Sequence, residues 1–359
     1  MSNSYRRLVV LLDGTWQELK NRTNVAVLNE NIEAGKTGDG IEQIVAYFPG
    51  VGTSMYDKLL GGAFGYGLSK SIKDAFFWLS RTYQSGDEVF VFGFSRGAYS
   101  ARSLVGLMHK CDGVVKQPTQ ALIDEAYDLY RDANSDATKF KAEHCLKARV
   151  RMIGVWETVG QLGVPVSGLP LVLPGTRDFY RFHDTNLSCI VDEAYHALGI
   201  DEYRGDFQPT LWDATTEKNK AVEQCWFIGD HGNVGGGTPD PTLWKLAYVW
   251  MQDKAIAAGL RMKTMTADEE WRQAPTDSFS SFLFGIYRIY KLNKRYNRIL
   301  GVNVEEVLHP SVLKRVQNFA EYRPKPLTNA GVPDKTNEIP RRHVVKPCSC
   351  SNAGGAATS

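Results

Sequence analysis

An α/β fold around a mostly parallel sheet is predicted by three observations. Short apolar runs alternate with helical patterns between residues 8 and 109. One such run, Val89-Phe90-Val91-Phe92, leads straight into Gly93-Phe94-Ser95-Arg96-Gly97. Two later runs end in polar residues, at Trp156-Glu157-Thr158 and at Gly229-Asp230-His231. Strands alternating with helices are the pattern of βαβ units, whose strands run parallel.

Each element follows from local pattern. Leu8 to Leu12 is a continuous apolar run, as expected of a strand buried on both faces. Ile44 to Phe48 is a second strand, ended by Pro49-Gly50. From Ser69 to Tyr83, the residues Ile72, Phe76, Leu79 and Tyr83 recur at helical spacing. Gly86-Asp87 makes a turn before the strand Val89–Phe92, and Ala98 to His109 reads as a helix. Val150–Val155 and Gln224–Ile228 are further strands. Between them, Gln161 to Gly175 carries Pro165, Pro170 and Pro174, which suits an ordered loop over a pocket or a plain surface connection. Val191 to Leu198 reads as helical, and so does the stretch after about residue 240. The expected organisation is one domain over 1–322, with helical or loop insertions near 112–147, 161–220 and 240–322. A poorly ordered tail is expected over 323–359, rich in Pro, Lys, Asn and Gly.

Composition narrows the function. The 359 residues are 43% hydrophobic and 23% charged, ordinary for a soluble globular protein. A net charge of +2 excludes binding driven by bulk positive charge, so no nucleic-acid partner is expected. No apolar run approaches the ~18 residues that span a bilayer. Met1 to Arg7 is polar and basic and only Leu8–Leu12 follows, so no signal peptide and a cytoplasmic location are expected. Six cysteines are too sparse for a disulfide scaffold, and free thiols are expected. There is no Walker loop, H-E-x-x-H, EF-hand loop or complete G-x-G-x-x-G, so neither metal nor cofactor is expected.

The sharpest signal is Gly93-Phe94-Ser95-Arg96-Gly97, which matches the G-x-S-x-G nucleophile elbow in the strand-to-helix setting that motif requires. Gly93 and Gly97 remove Cβ atoms at a sharp reversal, and the following helix aims its N–H groups at the site. A serine needs a base, and the base needs an orienting acid. Glu157 and His231 follow Ser95 in the order acid then base, each just past a strand. Groups outside the carboxyl ends of parallel strands share one edge of the sheet. Each has rivals. Glu157 could instead serve a helix start, and Asp184, Asp201 and Asp230 compete for the acid's role. His309, before Pro310, competes with His231, which Gly232 to Gly237 follow as a flexible loop. His109 reads as a cap, and His196 as packed within its helix. An oxyanion hole would take the N–H of Arg96 and that of Gly14 or Thr15, with Asp13 fixing the loop, unless Asp13-Gly14 is an ordinary turn.

One stretch, 282–298, mixes aromatics with Arg288, Lys291, Lys294, Arg295 and Arg298. It reads as a core-facing helix with a solvated basic side, or as a peripheral membrane contact.

Several segments together resemble one family. They are Leu12-Asp13-Gly14-Thr15-Trp16, Tyr47 to Thr53, Gly93 to Arg102, Gly154 to Gly160, His196-Ala197-Leu198 with Asp201-Glu202, Trp226 to Gly237, and His309 to Val312. In that order they resemble an α/β-hydrolase family, otherwise uncharacterised, that includes bacterial type VI secretion phospholipase effectors. The resemblance implies an α/β-hydrolase fold and a Ser/acid/His hydrolase of carboxylic esters, acting in some members on membrane phospholipids; a lipase- or phospholipase-like enzyme and an esterase of small soluble esters are both open here. It also implies possible export without a signal peptide. Ser95 and His231 map onto the family's motif. The family usually has Asp where Glu157 stands, and Asp where Asn233 stands. Glu can fill the orienting role through a longer arm. The two departures also fit a different class, a degenerate hydrolase retained as a binding or scaffold module.

Overall fold

The computed structural model describes residues 5–14, 22–50, 63–159, 185–238, 242–281, 288, 291–292, 294–332, 338–339 and 342–348. Ten strands are described: β1 (Arg7–Leu12), β2 (Gly35–Lys36), β3 (Glu42–Phe48), β4 (Glu88–Phe94), β5 (Gly113–Val115), β6 (Cys145–Lys147), β7 (Val150–Trp156), β8 (Val191–Gly199), β9 (Ala221–Phe227) and β10 (Glu306–Leu308). Eight of them form one sheet in the order β10-β9-β8-β7-β4-β1-β3-β2. Every pairing in it is parallel except β2 with β3. This is the α/β-hydrolase fold, a mostly parallel sheet with helices on both faces.

The continuous apolar runs are explained by that burial. Leu8, Val10 and Leu12 of β1, with Val89 and Val91 of β4, pack into one core. This core includes Ile72, Phe76 and Leu79 of α2 (Ala63–Thr82) and Leu104, Leu107 and Met108 of α3 (Arg96–Cys111). Val9, Leu11, Phe90 and Phe92 point the other way, into a second core. There they meet Val25 and Leu28 of α1 (Asn24–Asn31) and Leu246, Ala247 and Met251 of the helix Trp244–Ala257. Alternate side chains of one strand thus fill two cores, so neither face can carry polar residues.

Strand order also sets where a site can form. From β1 the chain first adds β3 on one side and then β4 on the other. The connections diverge there, and a crevice opens beyond the carboxyl ends of β1 and β4. Asp13-Gly14 and Ser95 stand at those two ends.

Several expectations are corrected. Val191–Gly199 is the strand β8, between β7 and β9, and not a helix. Consequently 161–220 is not an insertion throughout, and 240–322 contributes the edge strand β10. Ladder pairing on both sides, Ile153 with Ala194 and Ala194 with Val222, overrides the helix-favouring Asp-Glu-Ala sequence. The polar start of β8 is also answered locally, where Arg149 and Lys220 pair with Asp192 and Arg151 pairs with Glu193. The tail is ordered at its beginning: Lys325–Asn329 is helical, and Leu327 and Ile339 are buried in the core. Residues 349–359 lie outside the described residues, as do Gln161 to Gly175. Cys111, Cys145 and Cys225 are free thiols, but Cys189 is disulfide-bonded. No helix among the described residues is long and apolar enough to cross a membrane.

The β4–α3 reversal rests on two glycines. A Cβ on Gly93 would lie 2.5 Å from the Gly97 carbonyl oxygen. One on Gly97 would collide with the Leu12 carbonyl oxygen and lie 2.6 Å from that of Asp13. Backbone cannot yield as a flexible side chain can, so Gly97→Ala is expected to lower stability by about 3 kcal/mol. Urea denaturation measures this; a midpoint equal to that of the unmodified chain would contradict the packing described.

Candidate active site

Ser95 is placed by the elbow. Its backbone, at φ 56 and ψ −117, lies in a region that L-residues seldom occupy. The strained turn is pinned on both sides. Ser95 N–H donates to Trp156 O at 3.0 Å, and Tyr99 N–H donates to Ser95 O at 3.1 Å as α3 begins.

His231 is the first residue of a short helix, His231–Gly235, just past β9. The Gly-rich segment expected as a flexible loop therefore begins as a helical turn. Asp230 caps it by accepting from Asn233 N–H at 2.8 Å, while the Asn233 side chain accepts from Asp230 N–H at 3.2 Å. This reciprocal cap fixes the two residues between them, His231 and Gly232. Asn233 is tied further, to Thr276 N–H at 2.9 Å and to the Thr276 hydroxyl at 3.1 Å. Gly235 has to be glycine, since a Cβ there would run into the Phe94 ring. The His231 imidazole lies between the rings of Phe94 and Phe207, with centroids at 4.8 and 5.0 Å.

The structure brings three predicted side chains together. His231 Nε2 lies 2.9 Å from Ser95 Oγ, and His231 Nδ1 lies 3.0 Å from Glu157 Oε2. A carboxylate facing Nδ1 assigns the proton to that nitrogen and leaves Nε2 free to accept from the hydroxyl. Burial lowers the His231 pKa below its usual 6.5, against the opposing pull of Glu157. The ring is therefore neutral near pH 7 and available as a base.

Glu157 sits one residue past β7, also at positive φ (50°). It is wholly buried, and burial alone would raise its pKa. The Arg298 guanidinium reverses this and holds the carboxyl well below the usual carboxylate range. Arg298 Nη1 donates to Oε1 at 2.6 Å and Nη2 to Oε2 at 2.7 Å. Gly199 N–H adds a third bond to Oε1, at 2.7 Å.

Arg298 is the residue that sequence reasoning placed wrongly. It was expected on a solvated or membrane-facing helix, yet it is 1% exposed and paired with Glu157. Residues 294–300 form no helix. Lys291 pairs with Asp206 and Arg295 with Asp277, so these cations are engaged within the molecule. Residues 282–287, 289–290 and 293 lie outside the described residues. A second missed pair, Glu202 with Arg204, is buried at 2.7 Å, and Glu202 Oε2 accepts from His231 N–H at 3.2 Å. The strand-end position of Asp201-Glu202 was the signal that could have found it. Burial, and then the charge of Glu202, push the Asp230 carboxyl up to about 7.

The rivals have other occupations. His309 caps the helix Pro310–Asn318 through Ser311 and stacks on Phe227. His196 lies on β8 and accepts from Thr158 N–H at 3.2 Å; burial brings its pKa down to about 3. Asp201 accepts from Gly229 N–H at 2.8 Å and from the Tyr322 hydroxyl at 2.9 Å. Asp184 and Thr15 lie outside the described residues. Asp13 organises its loop by accepting from Thr23 at 2.7 Å, Tyr47 at 2.6 Å and Gly14 N–H at 2.7 Å. Arg96, at the N-terminus of α3, follows Ser95 directly.

A family model for the catalytic domain of type VI secretion phospholipase effectors, Tle1-like, matches residues 6–254. An uncharacterized protein of Saccharomyces cerevisiae is 26% identical over 265 residues, covering 62% of this chain and 36% of its own. Among solved structures, the Tle1 effector bound to the VgrG spike is 17% identical, with a TM-score of 0.35 over 66% of this chain and 52% of that one. An uncharacterized protein from Pseudomonas aeruginosa is 15% identical, with a TM-score of 0.39 over 77% and 50%. Thermogutta terrifontis esterase 2 is 12% identical, with a TM-score of 0.38 over 71% and 84%. The chain thus spans about a third of the yeast relative and about half of the first two structures.

Glu157→Gln would leave the buried Arg298 cation facing a neutral amide. Breaking a buried pair from one side costs about 3–5 kcal/mol. Chemical denaturation is expected to show a loss of that order; an unchanged midpoint would contradict the ion pair.

Proposed function

The chain belongs to the Tle1-like phospholipase effector family through its catalytic domain, and from that premise we propose that it is a serine hydrolase of carboxylic esters, with lipid esters as the substrate class. The observation that carries this reading is the unbroken chain Ser95 Oγ–His231–Glu157 at 2.9 and 3.0 Å.

In the proposed reaction, Ser95 Oγ attacks the acyl carbonyl carbon while His231 Nε2 takes its proton. The tetrahedral oxyanion collapses, the alkoxide leaves, and it takes the proton from His231. Water then attacks the acyl-serine with His231 again as base, releasing the carboxylic acid and restoring the hydroxyl. Glu157 holds the imidazole tautomer and stabilises the imidazolium. Arg96 N–H, at the positive end of α3, serves as the first oxyanion donor. Gly14 N–H, now bonded to Asp13, would have to change partner to serve as the second. Thr15 is the alternative donor for that place. Asp13, Gly93, Gly97 and Asn233 hold the surrounding backbone.

Nothing at Asn233 favours the degenerate-module reading. The side chain is engaged in capping and in the bonds to Thr276, a task that needs an amide's donor and acceptor together.

Two outcomes are expected. Ser95→Ala lowers turnover of p-nitrophenyl butyrate by at least ~10³-fold while the circular dichroism spectrum is unchanged; undiminished turnover would refute the assignment. The second concerns pH. His231 must be neutral to accept a proton, and burial places its pKa below 6.5. Activity should therefore be retained down through pH 6.5 and fall only below it. A kcat/KM profile whose acidic limb lies above pH 7 would contradict this.

A further inference from the structure

We propose that Arg298 is a positioning residue for this reaction: its guanidinium fork fixes the plane of the Glu157 carboxylate and, through it, the aim of the His231 imidazole. The inference rests on the serine-hydrolase reading and extends it to a segment beyond the residues that the family model matches, 6–254.

The geometry carries it. Arg298 comes from irregular chain, between an exposed Ile299 and the half-buried Asn297. Its head is nevertheless buried against three separate segments. Nη1 donates to Glu157 Oε1 at 2.6 Å and to Gly199 O at 2.6 Å. Nη2 donates to Glu157 Oε2 at 2.7 Å and to Phe207 O at 2.8 Å. Both carboxylate oxygens are thus held in one plane by two parallel bonds, the arrangement that gives an arginine–carboxylate pair its directional precision. Oε2 is shared between Arg298 and His231 Nδ1. A glutamate arm has one more rotatable bond than an aspartate arm, and this fork removes the extra freedom. Phe207, whose carbonyl is the fourth acceptor, also packs its ring on His231. The same arginine therefore ties down both the acid behind the imidazole and the ring beside it.

Charge gives a readout that mere structural support would not move. The charged groups that act on His231 are Glu157 from the end of β7 and Glu202 and Arg204 from beyond β8; Asp230 precedes it in the chain and is engaged in the cap, and Arg298 stands behind Glu157. Arg298 balances the carboxylate nearest the ring. Without it, Glu157 acts on the imidazole as an uncompensated anion, which favours the imidazolium. The sign follows: loss of Arg298 raises the His231 pKa and moves the acidic limb to higher pH.

The test uses the full chain with Arg298→Met and Arg298→Lys. The His231 imidazole is titrated by NMR, and kcat and KM for p-nitrophenyl butyrate are measured across pH. In Arg298→Met the His231 pKa is expected to rise by about one unit, with the acidic limb following it. Its kcat should fall roughly 10–100-fold while KM stays within about two-fold. Arg298→Lys keeps the charge but not the fork. It should leave the His231 pKa near the wild-type value and still lower kcat by about ten-fold. A folded Arg298→Met whose His231 titrates as in the wild type would overturn the proposal. So would Arg298→Lys with wild-type kcat, which decides the matter alone if the Met variant does not fold. A wild type without Ser95-dependent turnover refutes the hydrolase reading instead, while the NMR titration still decides the electrostatic coupling of Arg298 to His231.

Discussion

The buried ion pair between Glu157 and Arg298 is the interaction on which the rest of the site depends. Taking a carboxylate and a guanidinium out of water is expensive, and mutual attraction offsets it only when the geometry is good and further hydrogen bonds meet most of the remaining donors and acceptors. Here the carboxylate receives the fork, Gly199 N–H and His231 Nδ1, and the fork also reaches two backbone carbonyls. Arg298 Nε is the one group of the pair left without a partner. The pair therefore joins the carboxyl ends of β7 and β8 to the Gly205–Phe207 turn and to irregular chain far along the sequence. An anion held this firmly can orient an imidazole, and the imidazole in turn faces the serine hydroxyl.

Backbone strain is present at the same place, at two of the six described non-glycine residues with positive φ. Ser95 and Glu157 both have positive φ without being glycine. Each sits at the carboxyl end of a central strand, where the chain must leave the sheet and aim a side chain into the crevice. The surrounding structure over-determines both conformations, through Gly93 and Gly97 beneath the serine and the arginine fork around the glutamate. Strain that the fold holds in this way belongs with sites of chemistry. In the proposed reaction it keeps the nucleophile and the orienting acid from relaxing away from the imidazole between turnovers.

Much of this was legible in the sequence, for identifiable reasons. Strands buried on both faces write continuous apolar runs, so β1, β4 and β7 could be read directly. Parallel strands put their carboxyl ends on one edge, so Ser95, Glu157 and His231 could be grouped without coordinates. β8 was not legible, because its start carries Asp192 and Glu193, whose charges are met by Arg149, Arg151 and Lys220 only in the fold. Arg298 was hidden for a related reason. Among neighbouring basic residues it looks like one more solvated cation, and its partner lies 141 residues away. Local pattern reports periodicity and turn chemistry; it carries no information about which charge is buried against which. The Gly-rich run after His231 misled in the opposite sense. Its glycines read as flexibility, whereas Gly235 is required by close approach to Phe94 inside a capped helical turn.

The most direct measurement is covalent labelling of the folded chain with a fluorophosphonate, followed by peptide mass spectrometry. A serine activated through His231 should give one phosphonyl adduct, on the peptide that carries Ser95, and His231→Ala should abolish it. A chain that stays unlabelled, or one labelled equally well without the imidazole, would contradict the account.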